Sequence, residues 1–209
     1  MRRTVTRTAR RTIARASRLL NFHKRHPPVG APPGTLVLPE EAAPVTICVM
    51  AYDPAGVDER RNVSVDELPA LLAEGRVTWI DVQGLSDEAI LRRLGQMFEI
   101  HPLALEDVVN VPQRPKAEAY DRHHLVVTRM MKVAEDGSLD VEQVSLFVGP
   151  GYLLSLQERP GDVFDPVRAR IRTGKGLIRK SGSDYLAYAL IDAILDGYYP
   201  ALDGGKPKR

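Results

Sequence analysis

Apolar positions along the chain follow two different periods, which predict strands and helices in alternation. Runs rich in Val, Ile, Leu and aromatic residues predict five β-strands. These runs cover residues 45–52, 77–82, 125–133, 139–148 and 152–156. Asp53, Pro54 and Gly56 form a turn signal after the first run, and Gly84 ends the second. Residues 135–138, with Gly137, predict a hairpin between the third and fourth strands.

Helical periodicity, with apolar residues three or four apart, predicts the remaining elements. Ser64 and Glu67 form a capping box before a short helix that ends at Gly75. The other predicted helices are 86–98 capped by Ser86, 103–110 after His101-Pro102, 165–171 opening at Asp165-Pro166, and 184–199 capped by Ser183. Strand–helix alternation followed by antiparallel strands predicts an α/β fold, a mixed β-sheet flanked by helices in an α/β/α sandwich.

The charge distribution separates a basic tail from an acidic body. Nine of the 29 Lys and Arg residues lie in residues 1–26, where there is no acid, which leaves 20 bases against 27 acids elsewhere. Six prolines in residues 27–44 predict an extended linker, so the folded body is expected over residues 45–202, followed by a divergent tail over 203–209. The tail is a solvated arm, a basic amphipathic helix for anionic lipid headgroups, or a transit-like segment. Nucleic-acid binding is not expected because no recognition motif accompanies it.

Several classes of protein are disfavoured by what the sequence does not contain. It has one cysteine, Cys48, in an apolar run, and no apolar stretch long enough to span a bilayer. No Gly-rich phosphate loop, Gly-x-Ser-x-Gly elbow or Cys-x-x-Cys pair occurs, so an enzyme is not predicted. His123 and His124 point to opposite faces of a strand and are not expected to share a zinc ion.

Carboxylates are the more informative candidates. Glu106 and Asp107 are adjacent in the predicted helix 103–110, and Asp192 and Asp196 stand four apart on one face of the last helix. Like charges at that spacing destabilise a bare helix unless solvent, a base such as Lys180 or a bound cation offsets them. Oxygen ligands of this kind suit Mg²⁺, which keeps much of its water. Spacing alone favours a solvated helix face over a cation site.

Four collinear blocks carry a resemblance to a known family. They are residues 101–116 (HPLALEDVVNVPQRPK), 142–147 (EQVSLF), 157–172 (QERPGDVFDPVRARIR) and 176–193 (GLIRKSGSDYLAYALIDA). Together they resemble the CorA family of magnesium and cobalt transporters over about residues 45–202. Four long matches in one order are far more specific than a short motif.

The resemblance implies a cytoplasmic α/β/α domain that senses divalent cations, followed by a stalk helix and two membrane helices in a homopentamer. It implies that weakly bound regulatory Mg²⁺, with Co²⁺ as an alternative ion, lies between neighbouring cytoplasmic domains and keeps the pore closed. Asp107 and Glu106 match one side of that regulatory interface, and Asp192 matches a nearby acidic position. These three residues are therefore the expected metal ligands.

The sequence also departs from the family pattern. After Leu202 the segment Asp203-Gly204-Gly205 interrupts the helix, and the Gly-Met-Asn pore signature is absent. We therefore expect a chain that ends before the stalk and pore, is soluble and mostly monomeric, and corresponds to a part at the cytoplasmic face of the cell membrane. The alternatives are a stand-alone soluble binding protein or remnant, and the zinc-transporting branch of the same superfamily.

Overall fold

The computed structural model describes residues 28–38, 43–72, 74–133 and 138–203. These residues form a seven-stranded sheet in the order β2-β1-β3-β7-β6-β5-β4. The strands are β1 (Thr46–Tyr52), β2 (Val57–Arg60), β3 (Val77–Gln83), β4 (Lys116–Ala119), β5 (His124–Val133), β6 (Leu139–Gly149) and β7 (Tyr152–Gln157). The sequence predictions for the basic tail, and for the glycines that follow Asp203, concern residues outside these ranges.

The sheet is mixed, as predicted. β3 and β7 run parallel, with Ile80 opposite Leu154, and the other neighbouring strands pair antiparallel. The two edge strands, β2 and β4, were not predicted. Each has four residues that alternate between half-buried and exposed, so neither leaves an apolar run in the sequence.

Helices cover both faces of the sheet. They are α1 (Leu68–Leu71), α2 (Glu88–Met97), α3 (Pro102–Val109), α4 (Asp165–Thr173), α5 (Ser183–Asp196) and α6 (Tyr198–Asp203). Leu91 of α2 and Val108 of α3 belong to a core with Ile80 and Leu154. Val167 of α4 and Leu190 of α5 belong to a second core. This core also contains Trp79 and Leu153, the residues that precede Ile80 and Leu154 on their strands. Because successive strand residues face opposite sides, the sheet separates two helical layers and the α/β/α sandwich is confirmed.

Four helix ends differ from the sequence predictions. The short helix that follows Ser64 ends at Leu71 and not at Gly75. Asp87, rather than Ser86, caps α2, and its Oδ1 accepts a hydrogen bond from Ile90 N at 3.0 Å. Ser183 lies inside α5 instead of capping it, because its hydroxyl donates to the Gly149 carbonyl at 2.6 Å. The predicted helix 184–199 divides at Gly197, where a Cβ atom would lie 2.9 Å from the Met131 carbonyl oxygen. The capping box of Ser64 and Glu67 is present as predicted.

Part of the predicted linker packs against the folded body. Leu36 is buried in the core beneath α2 and α3, and Gly34 N donates to Glu106 Oε2 at 2.8 Å. Gly34 has a φ of +82°, and a Cβ atom there would lie 2.8 Å from the Pro102 Cβ. Only glycine fits this approach without strain. The packed part of the chain therefore begins upstream of Val45, and we call residues 28–38 the N-terminal strap.

Candidate cation site

The acidic pair Glu106–Asp107 lies on α3, which starts at a defined point. His101 Nδ1 accepts a hydrogen bond from Leu103 N at 3.2 Å, and Pro102 occupies the first helical position. The buried residues of this helix, among them Leu105 and Val108, face the core. The remaining face leaves the two carboxylates half-buried at the surface.

Both oxygens of Glu106 are occupied within the chain. Oε2 accepts the hydrogen bond from Gly34 N at 2.8 Å, and Oε1 accepts one from Asn110 Nδ2 at 3.0 Å. The first of these contacts holds the N-terminal strap on α3. Glu106 therefore ties two segments together, in addition to presenting charge at the surface.

Asp107 is held by one amide and one ammonium group. Its Oδ1 accepts from Gln113 Nε2 at 2.9 Å, and its Oδ2 lies 2.6 Å from Lys116 Nζ. The same ammonium lies 2.9 Å from Glu118 Oε1. Partial burial opposes the charge of Lys116, but its hydrogen bonds to Asp107 and Glu118 raise its pKa overall. The hydrogen bond from Lys116 holds the pKa of Glu118 below its ordinary value.

A buried glutamine fixes the segment that joins α3 to β4. Gln143 Nε2 donates to the Asp107 carbonyl at 3.0 Å, and Gln143 Oε1 accepts from Gln113 N at 2.8 Å. Sequence reasoning placed Gln113, Lys116 and Gln143 in the resembling blocks but gave them no role. The roles of Gln113 and Lys116 depend on a loop that returns to the helix, and a spacing of nine residues between Asp107 and Lys116 gives no helical signal.

Asp192 lies on the other side of the sheet. It is on α5, where it lines a groove of about 390 Å³ with Asp196 and Arg170. α3 belongs to the first core and α5 to the second, so the sheet stands between Asp192 and the pair Glu106–Asp107. One chain therefore does not bring the three predicted ligands to one ion. An ion that used both sets would have to lie between two chains.

The candidate ligand atoms of the acidic pair are the carboxylate oxygens of Glu106 and Asp107. Mg²⁺ typically takes one or two carboxylates while keeping several waters. Across residues 28–38, 43–72, 74–133 and 138–203, no group of three or more His, Cys, Asp or Glu side chains is placed to hold a metal ion. An ion held by Glu106 and Asp107 would therefore need further ligands, such as water.

A second set of buried charges lies on the opposite face, next to a cavity of about 310 Å³. Arg168 contacts both Asp81 and Asp162, and its guanidinium lies 5.1 Å from the centre of the Trp79 ring. Burial raises the pKa of Asp81. Burial also acts to raise the pKa of Asp162, but hydrogen bonds from Arg168 and from Phe164 N hold it below its ordinary value. All these carboxylate oxygens are hydrogen-bonded, so the network is suited to holding α4 on the sheet.

The described part of the chain contains no helix with the length and apolar character needed to cross a bilayer. Its sandwich is shared by solved structures of transport proteins. The CorA magnesium transporter of Methanocaldococcus jannaschii matches with a TM-score of 0.56 at 18% identity, over 74% of this chain and 46% of that one. The ZntB cytoplasmic domain of Vibrio parahaemolyticus matches with a TM-score of 0.55 at 15% identity, over 75% of this chain and 61% of that one. These matches define the class of fold.

Sequence comparison identifies the family. The family model for CorA-like Mg²⁺ transporter proteins matches residues 74–204, well over half of the chain. The cobalt/magnesium transport protein CorA of Thermotoga maritima is 40% identical over 176 residues, which are 83% of this chain and 50% of that protein. The chain therefore belongs to the CorA-like Mg²⁺ transporter family, and the resemblance seen in the sequence is confirmed. It spans about half the length of these relatives.

Proposed function

We propose that this chain is the cation-sensing cytoplasmic part of a magnesium and cobalt transport protein. The observation that carries the proposal is the position of Glu106 and Asp107, which lie half-buried on α3 within the segment that matches the family model. The 40% identity to a cobalt/magnesium transport protein supports Mg²⁺ and Co²⁺ as the ions. Zinc transport is a less favoured candidate, because the match to ZntB is at 15% identity and supports the fold alone.

The proposed mechanism is electrostatic. Identical subunits present acidic faces that repel each other until divalent ions bridge them, and loss of the ions lets the subunits move apart. The separation of Asp107 from Asp192 by the sheet supports a site between subunits, with each chain contributing a different face to its two neighbours. The pore, the stalk and the pentameric assembly that the family resemblance implies are part of this proposal. We expect the 209-residue chain, studied alone, to be mostly monomeric.

The test is a Mg²⁺ titration of the thermal midpoint of the full chain at constant ionic strength. Because a single carboxylate, already paired with Lys116, would bind the ion, we expect a dissociation constant on the order of millimolar. Mg²⁺ at ten times that constant stabilises the fold by about 1.4 kcal/mol. This should raise the midpoint by a few degrees for a domain of this size.

Asp107→Asn keeps the shape of the side chain and removes its charge, so it should abolish most of the Mg²⁺-dependent shift. Because the substitution also removes the ion pair with Lys116, it should cost up to about 1 kcal/mol of stability without Mg²⁺. The shift is therefore measured from each variant's own metal-free midpoint. Equal shifts for wild type and Asp107→Asn would reject Asp107 as a ligand, and Asp192→Asn provides the same comparison on the opposite face.

A further inference from the structure

We propose that Lys116 is a built-in competitor for the cation at Asp107, so that this lysine sets the affinity of the site. The inference rests on the proposed function and deepens it, because it names the residue that a cation must displace. Lys116 Nζ lies 2.6 Å from Asp107 Oδ2. The Gln113 amide holds the other oxygen of this carboxylate, Oδ1. An incoming divalent ion and the ammonium group would occupy the same position.

Displacement of Lys116 leaves the carboxylate in place. Asp107 Oδ1 keeps its hydrogen bond from Gln113 Nε2, and Gln113 N is in turn anchored on the buried side chain of Gln143. The Asp107 backbone carbonyl accepts a bond from that same side chain. Asp107 Oδ2 can therefore release the Lys116 ammonium group and bind a divalent ion without movement of the helix.

Displacement also leaves the lysine paired. Its ammonium lies 2.9 Å from Glu118 Oε1 on the same strand, two residues along, and Tyr120 Oη donates to the other oxygen of Glu118 at 3.1 Å. A small rotation of the Lys116 side chain towards Glu118 would keep one charged hydrogen bond. Both partners of the Asp107–Lys116 pair are about one-quarter exposed, at 26% and 28%, so water and a hydrated ion can reach the contact.

The neighbouring acid is less suited to this exchange. A cation at Glu106 would have to displace either the Gly34 backbone N–H or the Asn110 amide. Loss of the Gly34 contact would release the N-terminal strap from α3, whereas loss of the Lys116 contact disturbs one flexible side chain. The geometry thus makes Asp107 Oδ2 the oxygen of the acidic pair whose present contact a cation can displace with the least change in the backbone.

Lys116→Gln should tighten Mg²⁺ binding, because it removes the competing charge and keeps a polar side chain. Because the Asp107–Lys116 ion pair is partly exposed, we expect its removal to lower the dissociation constant for Mg²⁺ by about fivefold. Lys116→Arg keeps the charge and should not tighten binding. Lys175→Gln makes the same change in net charge at an exposed lysine after α4, on the opposite face, and should leave the constant unchanged.

The experiment is calorimetric titration of Mg²⁺ into the full chain, run for wild type, Lys116→Gln, Lys116→Arg, Lys175→Gln and Asp107→Asn. Circular dichroism confirms that each variant is folded. Tighter binding in Lys116→Gln alone, together with loss of binding in Asp107→Asn, supports the competitor role. Loss in Asp107→Asn with no gain in Lys116→Gln overturns the inference and leaves the proposed site intact.

A third outcome separates the two proposals from each other. If Asp107→Asn binds Mg²⁺ as tightly as wild type, the proposed site itself is wrong and the inference is rejected with it. Glu118→Gln adds an independent check in two backgrounds. It should weaken Mg²⁺ binding more in wild type than in Lys116→Gln, because only in wild type does Glu118 pair with the displaced lysine. Equal weakening in both backgrounds would contradict this role of Glu118.

Discussion

Arg168 Nη2 donates to Asp81 Oδ2 at 2.7 Å across the interface between α4 and the sheet, and the same guanidinium also binds Asp162. The side chain of Arg168 is 14% exposed, and those of Asp81 and Asp162 are 4% and 2% exposed. One buried base thus neutralises one of two buried acids. Ser155 and Gln157 donate to the remaining oxygen of Asp81 and compensate for part of its lost hydration.

Arg168→Met should be strongly destabilising. The substitution keeps much of the aliphatic side chain but leaves two buried carboxylates without a counter-charge. Breaking a buried ion pair by removing one partner costs about 3–5 kcal/mol. Urea unfolding monitored by circular dichroism measures the loss.

Arg172→Met is the matched control on the same helix. Arg172 forms a two-pronged pair with Glu59, but the two side chains are 39% and 25% exposed. Removal of a partly exposed pair should cost about 1 kcal/mol or less. Comparable losses in the two variants would show that burial does not distinguish the pairs, contrary to this interpretation.

The fold was largely predictable because its central strands and long helices have clear periods. The strands β1, β3, β5, β6 and β7 each contain an apolar run, and the sandwich followed from their order. The edge strands β2 and β4 have no such run, since each is half solvated and short. Leu36 was assigned to a linker because six prolines surround it, yet a single apolar residue in an extended segment can still be buried.

The candidate site was predictable only as a set of residues. The acidic pair on α3 was identified from its block in the sequence, and the opposite placement of Asp192 required the sheet topology. The pairing of Asp107 with Lys116 depends on a loop that contains Pro112 and Pro115. The spacing of apolar residues, which predicts helices and strands, does not predict the path of this loop. The role of the three acids as metal ligands stays a prediction.

His123 should lower the stability of the fold at acidic pH. It is 3% exposed, lies between the rings of Tyr120 and Phe147, and neither of its ring nitrogens has a hydrogen-bond partner among the described residues. Burial, assisted by the charge of His124, lowers the pKa of His123 below the ordinary value of 6.5. The unfolded chain therefore takes up the proton first, so stability is unaffected above about pH 6.5 and falls as the pH drops below it.

His123→Phe preserves the ring contacts and removes the titrating group. The urea midpoint of this variant should fall less steeply than that of wild type between pH 6.5 and 5. His124→Gln, which changes the exposed neighbouring ring, should retain most of the acid-side loss. If His123→Phe and wild type show parallel profiles, His123 is not the group responsible.

Glu142 should act in the opposite direction. It is 2% exposed, with Lys132 Nζ at 3.6 Å and Arg159 Nε at 3.9 Å. Burial raises the pKa of Glu142 to about 7, although Lys132 and Arg159 act to lower it. The folded chain therefore holds a proton that the unfolded chain has lost, and this contribution to stability declines as the pH rises from 4.5 to about 7.

Glu142→Gln should remove that decline and be more stable than wild type at pH 8, as measured by urea unfolding at a series of pH values. Asp140→Asn is the control, because Asp140 pairs with the same Lys132 and Arg159 from a more exposed position. The control should leave the slope in place. A Glu142→Gln profile with the wild-type slope would assign the titration to another group.

The N-terminal strap should contribute measurably to stability, although its sequence resembles a linker. Leu36 is 8% exposed in the core beneath α2 and α3, and full burial of a leucine side chain contributes about 1.5–3 kcal/mol. Gly34 adds its hydrogen bond to Glu106. Deletion of residues 1–44 should therefore lower the thermal midpoint by several degrees, whereas deletion of residues 1–27 removes none of these contacts and should leave it nearly unchanged.

Two point substitutions separate the contributions of the strap. Leu36→Ala removes the buried side chain and should account for most of the effect of the longer deletion. Gly34→Ala places a Cβ atom 2.8 Å from the Pro102 Cβ at a φ of +82°, so it should detach the strap while leaving Leu36 intact. If the variant lacking residues 1–44 is as stable as the variant lacking residues 1–27, the strap packs against the domain without stabilising it. The independently stable unit would then begin at Val45, as the prolines suggest.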